Sequence, residues 1–234
     1  MKITPKNLIW ATAHPWRALR YLKHHDRIPY QAIARFIPSV PVIIEAGAAD
    51  GKNTIEMANF WPGAVIHAFE PVPDAMRLNE EVTKPIRDRV KLYPCALGSV
   101  PARLQMNVSG NGGSDGTQSS SLLNPSGHLH EFDNVPFNRK IEVDVVRLDD
   151  WAEREGVEKL DFLWLDLQGY ELEALKGAER LLSKVSAVHV EVSHRQLYEG
   201  GVLYPELKLW LQQRGFTPVI NATFRLGGNV LFSR

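Results

Sequence analysis

The sequence has a single cysteine, Cys95, among 234 residues. That excludes an intrachain disulfide and argues against a disulfide-stapled secreted scaffold, so a reducing, cytoplasmic setting is expected. Charge of one sign is also missing: Lys plus Arg and Asp plus Glu number 27 each, for a formal net charge of zero. A bulk nucleic-acid binder carries a basic surplus, so no nucleic-acid partner is expected. No apolar run approaches the roughly 20 residues of a membrane-spanning helix. Pro5, His14, Pro15 and Arg17 interrupt any cleavable leader pattern. Asp150, Asp166 and Glu191 carry oxygen donors, but no sequence-local motif gathers them, so no metal is expected. What remains is ordinary globular composition, 44% hydrophobic and 23% charged, which suits one large α/β domain or a domain with an extension.

The chain is organised around residues 42–54. Val42 to Ala46 is a short apolar run of the kind buried on both faces of a parallel sheet. A small-residue turn with Gly47 and Gly51 follows, then a helical pattern from Thr54 to Phe60. Strand, glycine turn and helix open a nucleotide-binding unit, in which glycine lets the backbone approach a ligand and the helix start offers free N–H groups. The dinucleotide fingerprint G-x-G-x-x-G fails, because Ala49 stands where its second glycine belongs. The phosphate-binding loop G-x-x-x-x-G-K-[ST] fails too: the gap from Gly47 to Gly51 is one residue short and Asn53 replaces the hydroxyl. An acidic-x-G-x-x-x-G pattern fits, with Glu45 at the strand end and Asp50 in the turn. Two carboxylates repel a pyrophosphate and favour a cationic ligand, for which S-adenosylmethionine, bearing a sulfonium and an ammonium, is the candidate. A tight turn without a ligand is the alternative.

A second strand, Ala64 to Phe69, ends at Glu70, about 20 residues beyond the turn, where a carboxylate reads the two hydroxyls of a ribose. Pro73 to Thr83 is expected to be a helix and Val90 to Tyr93 a third strand. Cys95 and Ala96 follow, small enough to wall an adenine; no basic residue adjoins Cys95 to make it a nucleophile. Ala102 to Val108 and Ile141 to Val146 read as strands and Leu148 to Glu155 as a helix. Leu160 to Leu167 is a buried strand with Asp166 at its carboxyl end. Leu172 to Leu182 has one helical period, and Ala187 to Val192 is a strand with Glu191 near its end and His194 just beyond. A helix over Tyr204 to Arg214 and an antiparallel pair, Phe216 to Ile220 with Asn229 to Phe232, close the chain. Residues 109–139 lack periodicity, and a loop of that length is commonly a lid or binding loop; it carries His128 and His130, as bases, substrate contacts or solvated side chains. Residues 1–41 form a helical extension broken by prolines. Its basic and aromatic residues over 10–27 either cap the domain or touch a membrane surface or acidic partner.

With Asp166-Leu167-Gln168-Gly169-Tyr170-Glu171 the residues resemble the FkbM-type family of class I S-adenosylmethionine-dependent methyltransferases. Val42 to Thr54, Ala68-Phe69-Glu70-Pro71, Val143 to Asp149, and Leu160 to Gly177 carry the resemblance; Ser120-Ser121-Leu122 and Val190-Glu191-Val192 add to it. Two departures stand out. Glu45 replaces the aspartate commonest at that strand end, and Gln168 stands where the family usually has an acid.

The resemblance implies a Rossmann-like, seven-stranded, mostly parallel sheet with an antiparallel last strand and helices on both faces. The methyltransferase domain would span 42–234. It also implies methyl transfer to a hydroxyl of a sugar or secondary metabolite. On this reading Gly47, Ala48, Ala49, Asp50, Gly51 and Thr54 hold the methionine end, oriented by Glu45. Glu70 and Pro71 lie at the ribose, Ala96 at the adenine, and Ser121 joins the cofactor side. Asp166 and Glu191 reach the acceptor or the cofactor's ammonium, and His194 is a candidate base. The competing function is a non-catalytic cofactor-binding or scaffold protein of the same fold.

Overall fold

The computed structural model describes residues 27–110 and 117–234. Most of the proposed N-terminal extension, and the segment 10–27 apart from Arg27, lie outside the described residues. Where description begins, Arg27 pairs with Glu56. Helix α1 (Tyr30–Ile33) follows, and Ile28 and Ile33 bury against the same cluster as Met57 and Trp61.

The first half of the domain alternates β1 (Val42–Ala46), α2 (Lys52–Phe60), β2 (Val65–Phe69), α3 (Pro73–Thr83) and β3 (Val90–Tyr93). A short β4 (Ala96–Leu97) and β5 (Ala102–Val108) come next, then α4 (Gly127–Glu131) and β6 (Arg139–Val146). The second half runs α5 (Leu148–Glu155), β7 (Phe162–Leu165), α6 (Glu171–Lys176), α7 (Glu179–Leu182) and β8 (Ala187–Ser193). It closes with α8 (Tyr204–Gln212), β9 (Thr217–Thr223) and β10 (Gly227–Ser233).

Seven strands form one sheet in the order β3-β2-β1-β7-β8-β10-β9. Every pair from β3 to β8 is parallel, and β10, the last strand in sequence, is antiparallel to both its neighbours. This is the Rossmann-like sheet expected of the sequence. Alternation along the strands splits the core in two. Ile44, Ala46, Leu163 and Leu165 pack with Trp151, Leu172 and Leu175 on one face, while Ile43, Ile66, Phe162 and Trp164 pack with Met57 and Trp61 on the other. A separate three-stranded sheet, β4-β6-β5, stands beside the main one. Its strand β6 alternates exposed and buried residues, as a one-sided antiparallel strand does.

Two expectations change. The helical period from Leu172 to Leu182 is one continuous pattern in sequence, but the helix breaks at Gly177. A Cβ there would lie 2.1 Å from the Gly98 carbonyl oxygen. Beyond the break, the Asp149 carboxylate accepts the backbone N–H groups of Arg180 and Leu181, both at 2.9 Å, and starts the next turn anew. Residues 117–139 are also more ordered than their composition implies. Beyond α4 they make isolated backbone bridges from Ser121 to Asn107, Pro125 to Tyr198 and Phe137 to Gly110.

Candidate functional site

The register of the main sheet brings four chain-distant residues to one edge. Ala46 pairs with Phe69 on one side and Leu165 on the other, and Leu165 pairs with Val190. The next residue of each strand is therefore Gly47, Glu70, Asp166 and Glu191, in the order β2, β1, β7, β8 across the edge: Glu70, Gly47, Asp166, Glu191. The chain leaves β1 toward β2 and returns to β7 on the opposite side, so this edge is the switch point at which open α/β sheets bind ligands.

The turn after β1 is fixed from three directions. Gly47 (φ +84°) and Ala48 both donate their N–H to the Phe69 carbonyl, at 3.0 Å each. A Cβ on Gly47 would sit 2.0 Å from the Asp166 carbonyl oxygen, so only glycine lets β1 and β7 approach here. Ala49, left-handed at φ +46°, is held by donating its N–H to Glu70 Oε2 at 2.9 Å. The other oxygen of Glu70 accepts the Val72 N–H at 2.8 Å. Burial pushes the Glu70 carboxyl up to about 7, against the pull of those two N–H groups. Glu45 lies beneath the turn, on the face of β1 toward α2. Its Oε2 accepts the Thr54 hydroxyl at 2.5 Å, its Oε1 is buried with no hydrogen-bond partner, and burial lifts the group to about 8.

Above the turn lies a cavity of about 220 Å³. Ala48, Ala49 and Asp50 form its floor, with Glu70 and Asp166 to either side, and Phe69, Ala96, Met106 and Leu122 give it apolar walls. This donor set suits S-adenosylmethionine: two carboxyl side chains, Asp50 and Asp166, face a cationic amino-acid end, the buried Glu70 carboxyl is placed for a diol, and small and apolar side chains admit a flat heterocycle. It does not suit a polyphosphate, for which Lys52 would be the one counter-charge among the described lining residues.

A second cavity, of about 260 Å³, adjoins the first and shares Gln118, Asp166 and Gln168 with it. Gln168 is the hub of the boundary. Its Nε2 donates to Asp166 Oδ1 at 2.8 Å and to Glu191 Oε2 at 2.5 Å. Its Oε1 lies 2.9 Å from the Tyr198 hydroxyl, and its backbone carbonyl accepts the Ser121 hydroxyl at 2.9 Å. Asp166 is raised by burial and is hydrogen-bonded to Glu191 as well as Gln168. The Gln168 amide thus ties the Asp166 and Glu191 carboxyls together at the strand ends. The loop that positions this group is braced by Glu171, whose Oε1 accepts the N–H groups of Leu167 and Gly169 at 2.9 and 3.1 Å.

Of the residues singled out in the sequence, Gly47, Ala48, Ala49, Asp50, Glu70, Pro71, Ala96 and Asp166 line the first cavity, and Asp166 and Glu191 the second. Glu45, Thr54, Gly51 and Ser121 line neither; they support the turn and the Gln168 loop from behind. His194 also lines neither cavity, and its ring stands edge-on to Tyr204 at 5.5 Å. The two loop histidines part company: His128 is buried in the wall of the second cavity, while His130 is exposed. Gln118, Gln168, Glu171 and Tyr198 were not among the residues expected to build the site. Of these, Gln168 had a signal, as an uncharged residue in an acidic position. Among the described residues no three His, Cys, Asp or Glu side chains converge as a metal-ligand group, and no helix is long and apolar enough to cross a membrane.

Comparison with known proteins agrees with this geometry. Residues 45–218 match the methyltransferase FkbM domain. The chain is 34% identical over 163 residues to the 2-O-methyltransferase NoeI of Sinorhizobium fredii, covering 68% of this chain and 66% of that protein. It is 28% identical over 200 residues to methyltransferase sdnD of Sordaria araneosa, covering 77% and 75%. The fold resembles the crystal structure of methyltransferase FkbM from Methylobacillus flagellatus, with a TM-score of 0.59 and 17% identity over 90% of this chain; the chain spans 49% of that one. With the family domain extending over most of its length, from the end of β1 into β9, the chain belongs to the FkbM methyltransferase family.

Proposed function

We propose that this protein is an S-adenosylmethionine-dependent O-methyltransferase whose acceptor is a hydroxyl of a sugar or secondary metabolite. The observation that carries the reading is the junction of two cavities at Asp166 and Gln168: a cleft suited to the cofactor opens beside a second space through a carboxyl pair. The 2-O-methyltransferase name of the NoeI relative supports a hydroxyl acceptor.

When bound, S-adenosylmethionine supplies a methyl group already activated by its sulfonium. The protein's part is to bind, orient and exclude water. The turn from Gly47 to Asp50, with Asp166, holds the cationic amino-acid end. Glu70 accepts hydrogen bonds from the ribose, and Ala96, Phe69 and Met106 enclose the adenine. As the acceptor oxygen gains its methyl group, its proton passes to the carboxylate of the Asp166–Glu191 pair, a general-base contribution of roughly 10²–10⁴ in rate. Residues between 118 and 135 wall both cavities, which supports reading the described part of this segment as the lid of a domain spanning 42–234.

Calorimetric titration with S-adenosylmethionine, with NAD and ATP as controls, tests the reading. A saturable response to S-adenosylmethionine alone, weakened at least tenfold in Glu70→Ala, is expected. A response to a phosphate-bearing nucleotide instead would overturn it. Intact cofactor binding with no turnover of any hydroxyl acceptor would leave the scaffold function standing in its place.

A further inference from the structure

The second cavity restricts the charge of its occupant. Its polar lining is acidic or neutral: Asp166, Glu171 and Glu191 supply carboxyls, and Gln118, Gln168 and Ser193 supply uncharged groups. Among the described residues no Lys or Arg lines it. His128 does not act as a hidden cation. It is 3% exposed, burial holds its imidazole down to about 4, and its Nδ1 has no hydrogen-bond partner. The nearby Arg195 is paired with Glu131 at 3.6 Å. Ser119 and Tyr198 add further uncharged polar groups, and Phe132, Val135, Leu197 and Val202 make up the apolar lining.

We propose, building on the methyltransferase reading above, that this cavity is the acceptor subsite. It takes one uncharged or amine-bearing sugar-like ring and rejects anionic rings such as uronates and sugar phosphates. Position sets the first limit: the cavity meets the cofactor cleft at Gln118, Asp166 and Gln168, so a ring hydroxyl seated there stands beside the strand-end carboxyls. The lining sets the second. A sugar ring presents hydroxyl donors and C–H surface together, and here carboxyl and amide acceptors stand beside aromatic and aliphatic side chains. Charge sets the third. A carboxylate or phosphate on the ring would lose its water among three carboxyls with no cation to replace it, which is discrimination by unpaired charge.

The test uses the protein saturated with S-adenosylhomocysteine and three matched methyl glycosides in the gluco and galacto series. One is neutral, one bears a 2-amino group and one a 6-carboxylate. Binding is read by saturation-transfer NMR and calorimetry. The neutral and amino glycosides of at least one series are expected to bind, and the uronate at least tenfold more weakly. Val202→Trp, which fills the cavity, abolishes glycoside binding while S-adenosylhomocysteine still binds. Ser193→Arg supplies the missing counter-charge and narrows or reverses the preference. Equal binding of uronate and neutral ring, binding of none of the glycosides, or unchanged binding in both variants would overturn the assignment while leaving the methyltransferase reading intact. Failure of S-adenosylhomocysteine itself to bind would instead remove the reading on which it rests.

Discussion

Gln168 donates its side-chain amide to Asp166 Oδ1 at 2.8 Å from a backbone held in the left-handed region, at φ +52°. A residue other than glycine in that conformation is strained, and such strain collects at functional sites. Here it turns the amide back over the strand end, where the same nitrogen reaches Glu191 and the oxygen faces Tyr198.

Replacing Gln168 by Ala removes the donor that favours the ionised form of the Asp166–Glu191 pair, so the apparent pKa of the pair rises. A hydrogen bond to a charged group is worth roughly 1.5–3 kcal/mol, so the acidic limb of the pH–rate profile moves up by about one unit or more. On that acidic limb, below the pKa of the pair, kcat falls about tenfold or more by the same arithmetic, while affinity for S-adenosylmethionine changes little. An unmoved pH–rate profile would show that Gln168 is only a structural brace.

On the proposed function, cofactor affinity is expected to depend on pH through Glu70. Burial holds this carboxyl up to about 7 in the free protein, and ribose hydroxyls donate to its ionised form. Binding therefore releases a proton near neutrality. Affinity for S-adenosylmethionine rises from pH 6 to 8 and levels off above. Calorimetry in buffers of different ionisation enthalpy detects the proton, and Glu70→Gln removes the dependence.

Glu45 contributes to stability with the opposite trend. Burial lifts its carboxyl from 4.5 to about 8, so the folded protein keeps a proton that the unfolded chain releases. That contribution is complete below about pH 4.5, declines as pH rises, and is lost above 8. Glu70 and Glu171, both near 7, act in the same direction. The melting temperature is expected to fall between pH 6 and 8.5. The slope is shallower in Glu45→Gln, which keeps a partner for Thr54. An equal slope in that variant would mean Glu45 is ionised in the fold.

Gly47→Ala places a Cβ 2.0 Å from the Asp166 carbonyl oxygen in a conformation at φ +84°. Backbone strain alone costs about 1–3 kcal/mol, and β1 and β7 must also separate. A drop in melting temperature of roughly 4 °C or more is expected for a domain of this size, together with loss of cofactor binding. A variant as stable as the parent would show that the strand ends move freely.

Much of the site was legible because strand ends and turns obey local rules. Val42 to Ala46 had to be buried, Gly47 had to bend, and Glu70 stood at the distance of a ribose reader. The helices at Pro73–Thr83 and Leu148–Glu155 agree with the observed boundaries. The break at Gly177 was not legible, because the groups packed around it, the Gly98 carbonyl and the Asp149 carboxylate, lie far away in sequence. His194, a candidate base three residues beyond Glu191, lies past the end of β8 at Ser193, and its ring turns to Tyr204.

The sequence by itself determined the α/β class, the carboxyl-lined turn and the identity of the groups at the strand ends, since hydrophobic period, glycine and charge are properties of short stretches. Only the tertiary structure decided that Asp166 and Glu191 meet, that Gln168 bridges them, and that His128 walls a second cavity beside them. Those relations depend on strand register and on contacts between segments distant in the chain, and no local pattern encodes them.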